Sequence, residues 1–386
     1  MSDNIINDIA PPRLTVCGSF GFGNTGDEAL PLAISDLAEA SGINLEIDIL
    51  SRFSQPALIE VVGLAEKYAE QQDNLKGQPC LVTGGGVIEP NSSCVLSRCQ
   101  PYLRKSFSSS LALYGANVES GKKYGWLDRF KIARTLNQFD RLYVRDVMSA
   151  QVLASLMPSK DIEVIGDSVL WLKPASKAPP ILESTDQFIC VILAAGVSWT
   201  NDLTWQNWFA NQLSRLAKQL EVSIVFVPFS QLAERDSQVH RQVANKIKDL
   251  APDTNIICLE EHETNLSPRM IAAALAKSQL TISMRLHGCV MSYAQKVPFV
   301  ALAYHPKVIG FTKTVSWENF YLPRNVPQDQ SINSYGYSLE DMRITESDLV
   351  GLSLKALEYQ DFSQLKVLKS RLQDTFADFW TLHVSK

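Results

Sequence analysis

Two side chains that bind anions and transfer protons stand close together in the segment Leu280–Phe311. Arg285 and His287 directly follow an apolar run that ends at Met284, and Gly288 begins a helical pattern. A turn of this kind places a permanent cation and a titratable imidazole beside a helix N-terminus, which favours an anionic ligand. The spacing therefore predicts a binding site at this turn, with His287 in a functional role.

Further polar residues follow two other apolar runs. His305 and Lys307 come after the run that follows the Arg285 turn, and they add polar groups at the same predicted rim. Arg145 closes the run "RLYV", where it would point at a crevice and bind a carboxylate or phosphate through two hydrogen bonds. A local ion pair between Arg145 and Asp146 explains the same sequence equally well.

A glycine-rich loop near the N-terminus matches the dinucleotide-binding fingerprint. Gly21, Gly23 and Gly26 spell G-x-G-x-x-G in "GSFGFGNTGDEAL", between an apolar run and a helical pattern. Asp48 stands at about the distance expected of a ribose-binding carboxylate, although it lies in the middle of the run "LEIDIL". The pattern alone would indicate a nucleotide-binding loop.

Carboxylates after the third glycine argue against a phosphate at this loop. Asp27 and Glu28 occupy the predicted helix N-terminus, where they would repel a pyrophosphate and already satisfy the helix dipole. Thr25 and Glu28 also fit a T-x-x-E capping box, which uses N–H groups that a phosphate would need. The loop, with Gly23 and Asn24, therefore suits the uncharged hydroxyls of a sugar. A capped turn without a ligand is the alternative.

Three consecutive glycines end another apolar run. Gly84, Gly85 and Gly86 follow "CLVT", which is a predicted buried strand. Glycines let a ligand approach the backbone closely, and their successive N–H groups can form an anion-binding concavity. The three glycines predict a binding loop, with a flexible turn as the alternative.

Apolar runs alternate with helical patterns along most of the chain, which is typical of parallel sheets with helices on both faces. The proline-rich stretch "WLKPASKAPPILESTD" separates two such regions. We therefore expect two doubly wound α/β domains, at 1–175 and 186–345, and C-terminal helices at 346–386 that return to the first domain. Ligands of such folds bind outside the carboxyl ends of the strands. In the first domain the predicted strands are 14–17, 45–50, 80–83, 111–115, 141–145 and 162–165, and the predicted helices are 55–71, 126–138 and 147–156.

The composition of the 386 residues is that of an ordinary soluble globular protein, with 46% hydrophobic and 20% charged residues. A net charge of −5 without a basic stripe does not favour a nucleic-acid partner. Seven cysteines without a C-x-x-C pair fit a reducing compartment. His287 and His305 lack acidic or thiol neighbours at ligand spacing, so no metal site is expected. Without a signal peptide or a membrane-spanning run, we expect a cytoplasmic protein, with contact to the inner membrane face left open.

Six segments of the chain occur in the form and order expected of one protein family. They are "GSFGFGNTGDEAL", "VTGGG", "LYGANV", "YVRDVMSAQVL", "VIGDSVLWL" and "MRLHGCVMSYAQKVPFVALAYHPKVIGF". On these motifs the chain resembles the polysaccharide pyruvyl transferase family, in particular members that pyruvylate cell-wall-linked polymers. Two segments depart from the family pattern, "VIEPNSS" after Gly86 and "YGANVESGKK", and both would line the acceptor side.

The resemblance implies a fold similar to two-Rossmann (GT-B type) glycosyltransferases and a reaction without a cofactor. The family transfers the carboxyvinyl unit of phosphoenolpyruvate to two hydroxyls of a sugar, which forms a cyclic ketal and releases phosphate. By this resemblance Arg285, with Leu286, and Arg145 would hold the donor, and His287 would be the general acid.

The acceptor would then lie at the opening loop. Asp27 and Glu28 would bind or deprotonate the sugar hydroxyls from the domain opposite the donor. The acceptor is a polysaccharide or its precursor, and linkage of that precursor to a lipid is left open.

Two other functions remain open on the sequence. A nucleotide-sugar-dependent glycosyltransferase of the same two-domain fold would also use a cationic rim beside a helix N-terminus. A sugar-binding or regulatory protein without catalytic activity would keep the fold and tolerate replacement of Arg285 and His287.

Overall fold

Two parallel β-sheets of six strands each form the framework of the protein. The computed structural model describes residues 11–50, 76–90, 103–104, 106–119, 123–231, 235–263, 266–323 and 348–384. Within each sheet, outside the residues between 50 and 111, a helix lies between successive strands, as parallel pairing requires. The predicted α/β class with two Rossmann-like domains is thus confirmed.

The first sheet has the strand order β2-β1-β3-β4-β5-β6, and the second has the order β12-β11-β10-β7-β8-β9. The strands are β1 Arg13–Cys17, β2 Glu46–Leu50, β3 Cys80–Val82, β4 Leu111–Ala116, β5 Arg141–Val144, β6 Glu163–Val164, β7 Phe188–Ile192, β8 Ser223–Phe226, β9 Ile256–Cys258, β10 Thr281–Ser283, β11 Phe299–Ala303 and β12 Tyr321–Pro323. The six predicted strands of the first domain are confirmed, with ends shifted by one or two residues.

The helices of the described residues lie between these strands and at the C-terminus. They are α1 Thr25–Ala40, α2 Trp126–Leu136, α3 Val147–Leu156, α4 Pro180–Glu183, α5 Leu203–Leu220, α6 Arg235–Leu250, α7 Pro268–Lys277, α8 Leu286–Ala294, α9 Pro306–Thr314, α10 Leu349–Tyr359 and α11 Ser363–Val384. The helix predicted at 55–71 falls outside the described residues. None of the helices above is both long and apolar enough to cross a membrane.

The strand order of each sheet reverses direction at one point, which locates the ligand crevice. In the first sheet the chain leaves β1 toward β2 on one side and then returns to β3 on the other. In the second sheet the corresponding reversal lies between β7 and β10. The connections diverge at such points and leave a crevice outside the carboxyl ends of the strands. The loops after β1, β3 and β10 carry most of the predicted site residues, while Arg145 follows β5 and His305 and Lys307 follow β11.

Only the second of the two C-terminal helices packs on the first sheet. In α11, Asp378 accepts hydrogen bonds from Arg141 and Tyr143 at 2.8 and 2.9 Å, and the carbonyl of Leu372 accepts one from Tyr114. The preceding helix α10 packs instead on α5 and β11 of the second domain. The chain thus crosses back to the first domain between α10 and α11.

Helix α1 joins the two domains. It packs on the short 3₁₀ turn Ser168–Trp171 and on α7 and α8. Its apolar face belongs to one continuous hydrophobic core that also contains both sheets. The buried carboxylate of Asp36 binds Arg269 of the second domain through two hydrogen bonds of 2.8 Å and accepts a third from the Lys173 N–H. The domain interface is therefore both apolar and specifically paired.

We expect Asp36→Ala to lower the free energy of unfolding by roughly 2–4 kcal/mol, because it leaves Arg269 and the Lys173 N–H without their partner. Urea unfolding at neutral pH measures the change. The matched control is Glu39→Ala on the same helix, where the pair with Lys173 is exposed and about 0.5 kcal/mol or less is expected. Equal losses in both variants would contradict a structural role for the buried pair.

Candidate active site

The predicted functional residues of both domains meet at the carboxyl ends of the two sheets. The loop after β1 brings Asp27, the end of β5 brings Arg145, and the turn after β10 brings Arg285 and His287. Lys307, at the N-terminus of α9, completes a group of four cations whose charges all act on Asp27. Acidic and basic candidates therefore share one site rather than facing each other at a distance.

The opening loop caps α1 through Asn24, and the capping box predicted for Thr25 and Glu28 is wrong. The side-chain oxygen of Asn24 accepts from the Gly26 N–H at 3.1 Å, and its amide donates to Asp27 at 2.8 Å. Glu28 accepts instead from the Gly21 N–H at 2.6 Å. Positive φ angles at Gly21 and Gly23 curl the loop so that its N–H groups converge on Glu28.

Glu28 is buried beneath this loop rather than open to the crevice. Its burial raises the pKa to about 7, although hydrogen bonds from the N–H groups of Gly21, Gly23 and Phe22 act in the opposite direction. The carboxylate thus organises the loop from below. Its catalytic role stays a prediction, and its contacts favour a positioning role.

The third glycine of the loop is explained by a histidine. A side-chain carbon built on Gly26 would overlap the ring of His287 and lie 2.6 Å from the His287 Cβ. The imidazole of the second domain therefore lies directly on the first turn of α1. The absence of a side chain at Gly26 permits this contact. In a dinucleotide-binding loop, the pyrophosphate would bind at the same position.

A buried carboxylate holds the other side of the His287 ring. Asp167 lies 3.5 Å from Nε2 of His287 and 3.6 Å from Nη1 of Arg145. Burial alone would raise the pKa of Asp167, but the charges of His287 and Arg145 and the N–H of Val169 hold it below its ordinary value. Asp167 is therefore an ionised carboxylate that lies between His287 and Arg145.

Arg145 is fully buried and forms the local ion pair, while its role as a ligand of an anion stays a prediction. Its Nε lies 3.3 Å from Asp146, as the local ion pair predicts. Its Nη2 is buried and has no hydrogen-bond partner in the described structure. That N–H group is available to an anion in the crevice.

Asp236 organises the turn that carries Arg285. One of its oxygens accepts from Arg285 at 2.6 Å and from the Ala195 N–H at 3.0 Å. The other accepts from the N–H groups of Phe229 and Ser230 at 3.2 and 2.8 Å. Asp236 is fully buried and thus fixes Arg285 relative to the loops after β7 and β8.

The loop after β8 also forms hydrogen bonds with the opening loop of the first domain. The Thr25 N–H donates to the carbonyl of Phe229 at 2.8 Å, and the Gln231 N–H donates to the carbonyl of Gly23 at 2.9 Å. The Gln231 side chain donates to the hydroxyl of Thr25 at 3.0 Å. Backbone pairing between domains therefore sets the position of Asp27 relative to Arg285.

Asp27 is the one half-buried carboxylate among these cations in the described residues. Its removal from water raises the pKa, while the charges of His287, Lys307, Arg145 and Arg285 oppose this shift. A carboxyl group with a raised pKa is a stronger base than an exposed aspartate, which suits it to proton transfer. Asp27 thus has the properties of an acid–base group.

The glycine triplet borders Asp27. A side-chain carbon on Gly85 would meet only the Asp27 Oδ1, at 3.8 Å, so the backbone there is open to the crevice. Gly84 and Gly86 adopt positive φ angles of 99° and 63°, which turn the chain after β3. The triplet is therefore a shaped loop, and its ligand-binding role stays a prediction.

Two candidates at the rim and one in the core complete the predicted set. His305 caps α9 by accepting from the Lys307 N–H at 3.3 Å, and its Nε2 lies 3.5 Å from Glu119. Leu286 is buried in the hydrophobic core, so only its backbone can reach a ligand. Asp48 binds Arg13 on the neighbouring strand, 2.7 Å from its Nε, and is absent from the crevice.

Sequence reasoning missed the carboxylates that hold the cations. Asp167 lay within the quoted motif "VIGDSVLWL", which was a usable signal. Asp236 and Gln231 lie in the polar stretch "SQLAERDSQVH", where no sequence signal distinguishes them from surface residues. Among the described residues, no group of three or more histidine, cysteine or acidic side chains has an arrangement that could hold a metal ion.

We expect Gly26→Ala to destabilise the protein by about 1–3 kcal/mol or more, because the added methyl group overlaps His287. Thermal or urea unfolding measures the loss. The control is Gly85→Ala, whose methyl group has space and should change stability by less than about 1 kcal/mol. The contact between α1 and His287 is refuted by a Gly26→Ala protein as stable as the control.

We expect Glu28→Gln to change how stability depends on pH. The native state of the wild type holds a proton on Glu28 up to about pH 7, whereas the unfolded chain loses it near 4.5. Stability of the wild type should therefore fall relative to the variant as pH rises through this window, by on the order of 2–3 kcal/mol. Urea unfolding of both proteins from pH 4.5 to 8 tests this. Parallel pH curves would show that Glu28 is not protonated in the native state.

Comparisons with solved structures identify the same architecture. The chain aligns with the S. aureus MnaA–UDP co-structure over 97% of its own length and 98% of that chain, with 12% identity and a TM-score of 0.54. It aligns with a putative UDP-N-acetylglucosamine 2-epimerase from Listeria monocytogenes over 90% and 94% of the two chains, with 13% identity and a TM-score of 0.53. At these identities the likeness shows the two-Rossmann fold alone.

Sequence comparison assigns the family. A search of curated proteins finds no significant match. The sequence model described as "polysaccharide pyruvyl transferase" matches residues 24–306, from the cap of α1 to the start of α9. This span contains Asp27, Arg145, Arg285 and His287 and covers most of the chain, and the protein is therefore a transferase that belongs to the polysaccharide pyruvyl transferase family.

Proposed function

We propose that the protein transfers the carboxyvinyl group of phosphoenolpyruvate to two hydroxyls of a saccharide, forming a pyruvate ketal and releasing phosphate. The observation that carries the proposal is the convergence of Arg145, Arg285 and His287 around Asp27. Two arginines suit a donor that carries a carboxylate and a phosphate. One carboxylic acid and one imidazole suit a reaction that moves protons.

The two arginines are the proposed donor ligands. Nη2 of Arg145 and Nε of Arg285 are buried and have no hydrogen-bond partner in the described structure. Buried N–H groups without partners are rare and costly, so an anion that accepts from them gains free energy. Asp146 and Asp236 hold the two guanidinium groups in place beforehand, which lowers the entropy cost of binding.

The proposed reaction begins with proton transfer to C3 of phosphoenolpyruvate, which makes C2 an electrophile. A sugar oxygen forms a bond to C2, the C2–O bond to phosphate breaks, and a second sugar oxygen completes the ketal. Of the two hydroxyl protons, one is balanced by the proton added to C3 and the other leaves with phosphate. The reaction therefore needs no oxidant, reductant or external base.

His287 and Asp27 are the proposed acid and base. His287 is the proposed donor to C3, since an imidazole suits proton transfer near neutral pH and the Asp167 carboxylate lies 3.5 Å from its Nε2. Asp27 then accepts a proton from the attacking hydroxyl, since its raised pKa makes it a stronger base than an exposed aspartate. Glu28 supports Asp27 by fixing the loop.

The proposed acceptor is a polysaccharide or its lipid-linked precursor, used on the cytoplasmic side of the membrane. It approaches along the glycine triplet and the opening loop, where Asn24 and Asp27 offer groups that bind hydroxyls. The same crevice in a nucleotide-sugar-dependent glycosyltransferase would receive a nucleoside diphosphate. This second function is considered because the MnaA structure of the same fold is a complex with UDP.

Millimolar phosphoenolpyruvate is expected to raise the melting temperature by a few degrees, since a ligand of the native state stabilises it by mass action. Arg285→Lys should lose most of the shift, because lysine retains the charge beside Asp236 but lacks the second N–H group. Asp27→Asn should keep the shift and lose activity. The donor assignment fails if Arg285→Ala still binds phosphoenolpyruvate normally and Asp27→Asn does not. A shift with UDP and none with phosphoenolpyruvate would favour the glycosyltransferase.

We expect Gly85→Ala to separate binding from folding at the glycine triplet. Its methyl group disturbs no neighbour, so the melting temperature without ligand should stay within a few degrees of the wild type. The methyl group would nevertheless occupy space beside Asp27, and KM for the saccharide should rise about tenfold, a loss near 1.4 kcal/mol. Steady-state kinetics with the acceptor varied test this, and an unchanged KM would remove the triplet from the acceptor site.

A further inference from the structure

Helix α2 exposes three large apolar side chains to solvent. Trp126, Leu127 and Phe130 have exposed fractions of 76%, 50% and 61%. Single exposed apolar residues are ordinary, whereas three together on one helix face mark an interaction surface. Packing among the residues that the structure describes does not account for this apolar surface.

The geometry of α2 places these side chains at the centre of its outer face. Trp126, Phe130 and Arg134 are four residues apart and form one row along the helix. Ile132 and Leu136 point to the opposite side and are buried in the core of the first domain. One face of α2 therefore packs on the core of the first domain, and the opposite face exposes apolar side chains to solvent.

Basic residues surround the apolar side chains. Lys123, Arg129, Lys131 and Arg134 are all exposed, and Asp128 is the single acidic residue between 123 and 136. This local excess of positive charge contrasts with the net charge of −5 of the whole chain. Tryptophan, phenylalanine and leucine flanked by lysine and arginine form the pattern of helices that lie in the headgroup region of anionic membranes.

We propose that the outer face of α2 is a docking surface for an anionic lipid bilayer. Trp126, Leu127 and Phe130 enter the boundary between headgroups and acyl chains, while the flanking cations contact lipid phosphates. The helix lies in the plane of the interface and does not span the membrane. A basic apolar face matches such a surface in both charge and polarity.

The position of α2 connects this surface to the crevice. Tyr124, just before the helix, donates to the carbonyls of Glu119 and Ile88 at 2.8 and 3.2 Å. Glu119 in turn lies 3.5 Å from His305 at the rim of the site. A membrane at α2 therefore brings the rim close to the headgroups, where the sugar of a lipid-linked acceptor resides. This last step rests on the proposed function, whereas the docking itself does not.

Co-sedimentation with lipid vesicles tests the docking surface. The full-length protein should bind phosphatidylcholine vesicles that contain about a quarter phosphatidylglycerol, and bind much less to pure phosphatidylcholine. The triple variant Trp126→Ser, Leu127→Ser, Phe130→Ser should reduce vesicle binding about tenfold or more. Lys131→Glu with Arg134→Glu should abolish the preference for anionic vesicles, and added salt should weaken binding of the wild type.

Matched variants in the second domain control for the loss of exposed apolar surface. Leu203 and Leu250 are comparably exposed, and Leu203→Ser with Leu250→Ser should leave vesicle binding unchanged. Near-identical melting temperatures would show that all variants fold. The proposal is overturned if the wild type does not bind anionic vesicles, or if the α2 and control variants bind alike. It is also overturned if the wild type forms a dimer that the triple variant disrupts while vesicles stay unbound, since α2 is then a subunit interface.

Assay of the soluble and the lipid-linked acceptor separates docking from catalysis. The triple variant should keep wild-type activity on a short soluble saccharide and lose activity on an acceptor held in vesicles. If phosphoenolpyruvate is not the donor, the wild type itself should show no phosphoenolpyruvate-dependent activity on either acceptor. Vesicle binding would then still be observed.

Discussion

The direct contact between His287 and the first turn of α1 is the constraint on which the site depends. It requires a residue without a side chain at position 26, because any Cβ there overlaps the imidazole. It also requires the two domains to stay in register, since the histidine and the glycine belong to different sheets. The pairing of Thr25 and Gln231 with backbone of the opposite domain supplies that register. A motion of one domain against the other would therefore dismantle the site.

Electrostatic preorganisation follows from this arrangement. Each crevice arginine is held by a buried aspartate, Arg145 by Asp146 and Arg285 by Asp236. Removing a buried partner is costly, so the cations keep their positions when the crevice is empty. Such fixed charges need no reorganisation when an anion arrives, which is the condition under which electrostatic groups contribute most to catalysis.

The glycine-rich loop shows how one motif can meet a different physical need. Dinucleotide-binding proteins use the three glycines to bring backbone N–H groups to a pyrophosphate. Here Gly21 and Gly23 turn the chain so that its N–H groups face Glu28, an acidic side chain supplied by the protein itself. Gly26 makes room for the imidazole of His287 instead of a phosphate. The loop thus keeps the geometry of an anion-binding turn, with a resident carboxylate in place of the ligand.

The sequence alone determined the elements and the edge at which the site lies. Continuous apolar runs such as "FICVI" specify buried parallel strands, because both of their faces are covered. Polar residues after such runs must then collect at the carboxyl edge, which placed Arg145, Arg285 and His287 correctly. Tertiary structure decided which carboxylates serve the site. The sequence does not distinguish the roles of the acidic residues Asp27, Glu28, Asp167 and Asp236. Burial and neighbours across the domain boundary make Asp27 the acid–base candidate and the other three supporting residues.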